Sequence, residues 1–213
     1  MTAHSSVLAY PAVLTGRPHG SSAPLVGDLN ALALAIGAQD PYTQGHSRRV
    51  AEYAVRMAAH MGLDAEDREL VRTGGLLHDI GKLAFSRKLL ANRNRRLTPD
   101  MRAEIRRHPE IGEQLLKALS VPDAVVDCVR YHHERPDGSG YPYGLRAAEI
   151  PWSAQIVSVA DCFDALTTDR PYQRGKEQAH AFAIMKQMGP GIFAPDLLAA
   201  LQAEIRRHGS LLH

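Results

Sequence analysis

Apolar residues in this chain recur at intervals of three and four, and no clean alternation of apolar and polar residues bounded by turns stands out. That period belongs to helices that bury one face. From His46 to Met61 it runs through Val50, Tyr53, Ala54, Met57 and Ala58, and Gly62 stops it. Asp64 is placed to cap a helix that passes through Leu70, Val71, Leu76 and Leu77 to His78. Thr98-Pro99-Asp100 reads as a capped start with proline at the first helical position. Two short helices follow, one on each side of His108-Pro109. Further helices are expected over Val121 to His133, about Ile150 to Leu166, roughly Glu177 to Met188, and Pro195 to His208. Between them, Arg135 to Gly144 is too rich in Gly and Pro for regular structure. Arg87 to Arg96 reads as a solvated basic turn, and Leu29 to Ile36 as a short apolar segment ended by Gly37.

A length of 213 residues suffices for one well-cored domain or two small ones. No internal repeat and no second boundary is visible. Residues 1–27, with Pro11, Pro18, Gly20, Ser21, Ser22 and Pro24, read as a flexible arm, which leaves one domain over 28–213. Apolar residues at 45% and charged residues at 23% exclude a wholly disordered chain, a collagen and a coiled-coil rod. The formal charge of +2 gives no reason to expect a nucleic-acid polymer as partner. No run approaches the ~20 apolar residues that span a bilayer. The start lacks Lys and Arg, and its apolar patch is broken by Pro11, unlike a signal peptide. Cys128 and Cys162 are too few for a disulfide framework, so a reducing cytoplasm is the simpler expectation.

The unusual feature of the composition is 11 histidines, unevenly distributed. His78-Asp79 closes an apolar helix, where both side chains can reach one cation; a plain structural His–Asp contact would read the same. His132 and His133 are adjacent at the end of another helix. Consecutive helical side chains diverge by about 100°, so they share an ion only if the helix has ended or the ion lies between them. His46 and His108 each start or flank a helix. Asp161 sits among Ile156, Val157, Val159, Ala160, Phe163, Ala165 and Leu166. A carboxylate buried there must be paired with Arg or Lys or bound to a cation. Together these are five His and two Asp from five helices. Imidazole with carboxylate suits iron, manganese, zinc or nickel, and the lack of Cys argues against a closed structural zinc site. Seven groups exceed the needs of one tetrahedral ion. A carboxylate bridging two ions would use them all, and two metals ~3.5–4 Å apart suit phosphoryl hydrolysis by a bridging hydroxide. Lys82 has the right charge for a substrate phosphate, and Tyr141, between Gly140 and Pro142, can stack on a base or hydrogen-bond a phosphate; a solvated lysine and an ordinary turn are the plainer readings.

The segments Asp40-Pro-Tyr-Thr-Gln-Gly-His46, Leu77-His-Asp-Ile-Gly-Lys82, His108-Pro109, His132-His-Glu-Arg-Pro-Asp-Gly-Ser-Gly-Tyr-Pro142, Val159-Ala-Asp-Cys-Phe-Asp-Ala-Leu166 and Asp169-Arg-Pro-Tyr172 occur in one order. In this the chain resembles the HD-GYP family, a branch of the HD-domain phosphohydrolases, from about Asp40 to Leu201. The resemblance implies an all-α HD bundle that hydrolyses cyclic di-GMP to pGpG, and on to GMP in one variant of the reading. It implies that His46, His78, Asp79 and Asp161 hold one divalent metal. Asp79 would bridge to a second held by His108, His132 and His133, with iron or manganese as the leading ions. Lys82, Tyr141 and Arg170 would contact substrate. Some members hold a third metal through a Glu that is Tyr42 here, so two ions are expected. Gln173 stands where family members can carry a basic residue, and Ala91-Asn-Arg-Asn-Arg-Arg96 replaces the usual Lys-Pro-Gly stretch. Two other readings stay open: a catalytically silent sensor or interaction module of the same fold, and a hydrolase of another cyclic dinucleotide. A homodimer, or contact with other signalling proteins, is also left open.

Overall fold

A computed structural model describes residues 41–90, 92, 96–169, 174–189 and 191–209, with backbone alone for 41–44. The expected arm over 1–27, the segment Leu29 to Ile36, and Arg170 and Gln173 lie outside these residues. The described residues contain helices and no strand. The helices are α1 (Pro41–His60), α2 (Ala65–Leu77), α3 (Arg87–Leu90), α4 (Pro99–Arg106), α5 (His108–Ala118), α6 (Asp123–Tyr131), α7 (Trp152–Thr167), α8 (Gln178–Gln187) and α9 (Pro195–His208). Two 3-10 turns, Ile80–Ala84 and Ala147–Glu149, complete the set.

Local chemistry sets the ends of these elements. Gly62, at φ +77°, takes the left-handed position that closes α1, and the Leu63 amide donates to the Ala58 carbonyl at 3.0 Å. Asp64 caps α2 by accepting from the Asp67 amide at 2.9 Å, and Thr98 caps α4 by accepting from Met101 at 3.3 Å. The basic stretch expected to be a solvated turn begins instead with a one-turn helix, α3, because Leu89 finds the core. Helix α6 ends at Tyr131, two residues before the expected end, with His132 as its C-cap.

Helix α2 is central and packs on α1, α6 and α7. Its glycine pair allows this. A Cβ on Gly74 would lie 2.5 Å from the Cys128 Cβ on α6, and one on Gly75 would lie 2.8 Å from the Ala51 Cα on α1. The core is continuous, from Val50, Tyr53 and Met57 on α1 through Val71, Val129, Ile156 and Phe163 to Met185 and Leu201. Tyr53 and Phe163 meet edge to face, with centroids 5.3 Å apart. The 3-10 turn Ile80–Ala84 packs on α5, where Gly81 lies so close to the His108 carbonyl that no side chain fits. That contact carries the end of α2 to the start of α5. No described helix is long and apolar enough to cross a membrane.

Candidate metal centre

Five helices deliver their histidines and aspartates to one buried point. His46 comes from α1, His78 and Asp79 from the end of α2, and His108 from the first residue of α5. His132 and His133 follow the last turn of α6, and Asp161 lies on α7. Because α6 stops at Tyr131, the two consecutive imidazoles are not forced apart, and their ring centroids are 4.0 Å apart. The ligand atoms form two groups, each within 4.8 Å: His46, His78 and Asp79, and His108, His132 and His133. Asp161 joins the first group, with Oδ1 3.2 Å from His46 Nε2 and 3.9 Å from His78 Nε2. Among the described residues it meets imidazoles there rather than an Arg or Lys. Asp79 faces both groups. Its Oδ2 lies 3.3 Å from His78 Nε2 and 3.8 Å from His46 Nε2, and its Oδ1 lies 3.3 Å from His108 Nε2.

The protonation pattern fits cations. Nδ1–H of His78 donates to the Gly75 carbonyl at 2.8 Å, that of His108 to Ile105 at 2.7 Å, and that of His132 to Val129 at 2.8 Å. A carbonyl only accepts, so each Nδ1 keeps its hydrogen and each ring turns its Nε2 inward. His108 Nε2 and His132 Nε2 then face each other at 3.2 Å, and His78 Nε2 is buried with no hydrogen-bond partner. Lone pairs aimed at one another and at a carboxylate are unfavourable until a positive ion stands between them. Burial pushes the His108 and His132 pKa values down, and that of His133 to about 3. These rings are therefore neutral at neutral pH, the form in which an imidazole can hold a cation. Burial alone would raise the pKa of Asp79, but Lys82 and the neighbouring imidazoles hold it well below the usual range. The donor set of imidazole and carboxylate, without thiolate, can hold divalent transition metals.

Three further residues support this centre. Asp164, one turn after Asp161, accepts from His46 Nδ1 at 2.7 Å and takes Arg49 through Nε at 2.6 Å and Nη2 at 3.0 Å. It carries no expectation in the sequence reading, although the burial argument applied to Asp161 covers it equally. Glu134 is buried, and its carboxylate accepts from the Tyr143 and Leu145 amides at 2.7 and 2.9 Å, which folds the Gly/Pro-rich loop back over α6. The fold brings Tyr141 from this loop onto His133, with centroids 4.6 Å apart and planes at 27°. The third is Arg106, the last residue of α4, whose guanidinium lies over the Tyr141 ring at 4.5 Å. Neither Glu134 nor Arg106 was expected to matter, because only the folded loop gives them their neighbours. Lys82 ion-pairs with Asp79 and remains 38% exposed.

An all-helical bundle with adjoining His/carboxylate groups that share one aspartate defines a protein of the HD type. A profile of the HD domain matches residues 31–197. The chain belongs to the HD-domain family, and its motif set places it in the HD-GYP branch. It is 36% identical to the 3'3'-cGAMP-specific phosphodiesterase 3 of Vibrio cholerae serotype O1, over 82% of this chain and 38% of that one. It is 37% identical to the cyclic di-GMP phosphodiesterase PA4108 of Pseudomonas aeruginosa, over 84% of this chain and 44% of that one. This chain therefore spans less than half the length of these two relatives. The fold matches Bd1817, a HDGYP protein from Bdellovibrio bacteriovorus, with a TM-score of 0.67 at 22% identity, covering 85% of this chain and 64% of that one.

Proposed function

We propose that this chain is a metal-dependent phosphodiesterase that opens a 3′–5′ linkage of cyclic di-GMP to give linear pGpG. The observation that carries the reading is the carboxylate of Asp79, whose two oxygens face two separate histidine groups. His46, His78, Asp79 and Asp161 would hold one ion, and His108, His132 and His133, with Asp79 between, the second. Iron or manganese suits this set best. Ions held there would supply Lewis-acid charge and lower the pKa of water, which is what attack on a phosphodiester needs.

The chain's own groups do the rest. Asp164 and the three backbone carbonyls fix ring orientation, so the imidazoles would meet ions already aligned. The Lys82 ammonium, part-exposed beside Asp79, is placed to take charge that develops on phosphate oxygens. Burial pushes the Tyr141 pKa up, so its phenol keeps its proton and acts as a hydrogen-bond donor to substrate rather than as a base. Arg170 joins Tyr141 in this reading as a substrate contact. Cys128 is a buried free thiol, which accords with work in the cytoplasm.

The test replaces Asp79 with Asn and measures bound metal per chain and turnover of cyclic di-GMP after anaerobic purification. Metal content is expected to fall below that of the parent, and turnover to drop on the order of 100-fold or more. A variant that keeps both would end the reading. The 36% identity to a 3'3'-cGAMP-specific enzyme favours a second substrate, the mixed cyclic dinucleotide. Turnover of both compounds by the parent decides between them.

A further inference from the structure

Arg106 is an exposed arginine whose donors find no protein acceptor among the described residues. Its guanidinium nevertheless has a defined seat. It ends α4 two residues before His108, and it lies 4.5 Å from the centre of the Tyr141 ring. That ring is itself stacked on His133 at 4.6 Å. A cation–π contact at an exposed site contributes about 0.5–1 kcal/mol, which offsets part of the roughly 1.5–2 kcal/mol of rotamer freedom lost in holding so long a side chain still. The contact thus sets where the charge is without using any of its N–H groups. Those donors form a planar fork suited to phosphate. Of the other cations near the centre among the described residues, Lys82 already sits at Asp79 and Arg135 donates to Ser158 Oγ. A cyclic dinucleotide carries two phosphodiesters. When one is at the metal centre beside Lys82, the other lies away from it and needs a cation of its own.

Resting on the reading of this site as one for cyclic dinucleotides, we propose that Arg106 is a substrate-binding residue that takes the phosphodiester not being cleaved. Tyr141 is both a substrate contact and the platform that positions this guanidinium. Because the contact is present before and during cleavage of the other linkage, its loss weakens binding and KM rather than the chemical step.

The experiment compares the parent with R106Q, R106K and R106M, all loaded with manganese. It measures metal content, steady-state kinetics on cyclic di-GMP, and calorimetric binding of its cleavage-resistant bis-phosphorothioate. For R106Q and R106M, KM and Kd are expected to rise about tenfold or more, as loss of a charge-assisted hydrogen bond does. Metal content is expected to stay at the parent level and kcat to change less than KM. R106K, which keeps the charge without the fork, is expected to recover part of the loss. A Kd for R106Q equal to that of the parent would overturn the proposal, as would R106M matching the parent, which would make the side chain only a prop for Tyr141. Binding that depends on Arg106 in a parent that leaves both cyclic di-GMP and the mixed dinucleotide intact would uphold the contact and remove the hydrolase reading. A parent that binds neither compound would remove both.

Discussion

His46 is held from both ends: Asp164 accepts from Nδ1, and Asp161 and Asp79 face Nε2. Replacing Asp164 with Asn would leave this imidazole without its anionic partner and Arg49 without its bidentate acceptor. Metal affinity is expected to fall about 10–100-fold while helix content is unchanged, as read by competition with a chelating dye. Burial works against protonation of His46, but the hydrogen bonds to Asp161 and Asp164 outweigh it and raise the pKa from 6.5 to about 9. A pKa raised on folding gives a contribution to stability that is full below the unfolded value and fades as pH climbs through the folded one. Chelator-treated parent is therefore expected to lose stability relative to His46→Gln between about pH 6.5 and 9 in urea titrations. Metal should suppress this loss, because an ion held by His46 would take the place of the Nε2 proton. At Cys128, burial pushes the thiol up to about 12, so alkylation of the native chain should spare it until the protein unfolds.

Helix ends and glycine contacts, rather than helix interiors, assemble the centre. Gly81 meets the carbonyl of His108 and the amide of Gly112, and these are backbone atoms that cannot rotate away. Gly81→Ala is expected to destabilise by roughly 1–3 kcal/mol and to move His108 away from Asp79, so that metal content falls as well as the urea midpoint. Unchanged metal content would show that the 3-10 turn does not set the spacing of the two histidine groups. The loop has a comparable tie in Glu134. Glu134→Gln retains one acceptor oxygen for two amides, and a loss of about 1–3 kcal/mol is expected, with faster hydrogen exchange at Tyr143 and Leu145. Most elements were legible from periodicity and caps: α9 spans the expected Pro195–His208, and Asp64 and Thr98 cap as read. The short end of α6 was not. Tyr131, His132 and His133 have no residue that stops a helix, and the stop comes from the loop that follows, where Tyr141 donates its amide to the His133 carbonyl at 3.1 Å.

At the scale of the whole molecule, the neutral rings of His108, His132 and His133, crowded on one another beside Asp79, leave the metal-free bundle with an internal conflict that cations would relieve. Ligand binding to the folded state alone stabilises by mass action, so manganese at about 1,000 times its dissociation constant is expected to add roughly 4 kcal/mol, seen as a higher thermal midpoint that EDTA reverses. A midpoint indifferent to metal and chelator would contradict the proposal that these seven side chains converge to hold cations. That the chain is helical was already set by its residues, because apolar side chains recurring every three to four positions line one face of a helix. The sequence also marked His46, His78, Asp79, His108, His132, His133 and Asp161 as a set, because so many metal-ligating groups in apolar surroundings demand a common explanation. How the set divides emerges in the folded chain alone. That Asp79 turns one oxygen to each group, that Asp164 orients His46 and that Arg106 sits over Tyr141 all depend on distances between residues far apart in the chain. Such distances follow from how close the glycines let the helices come, and no local pattern of residues encodes them.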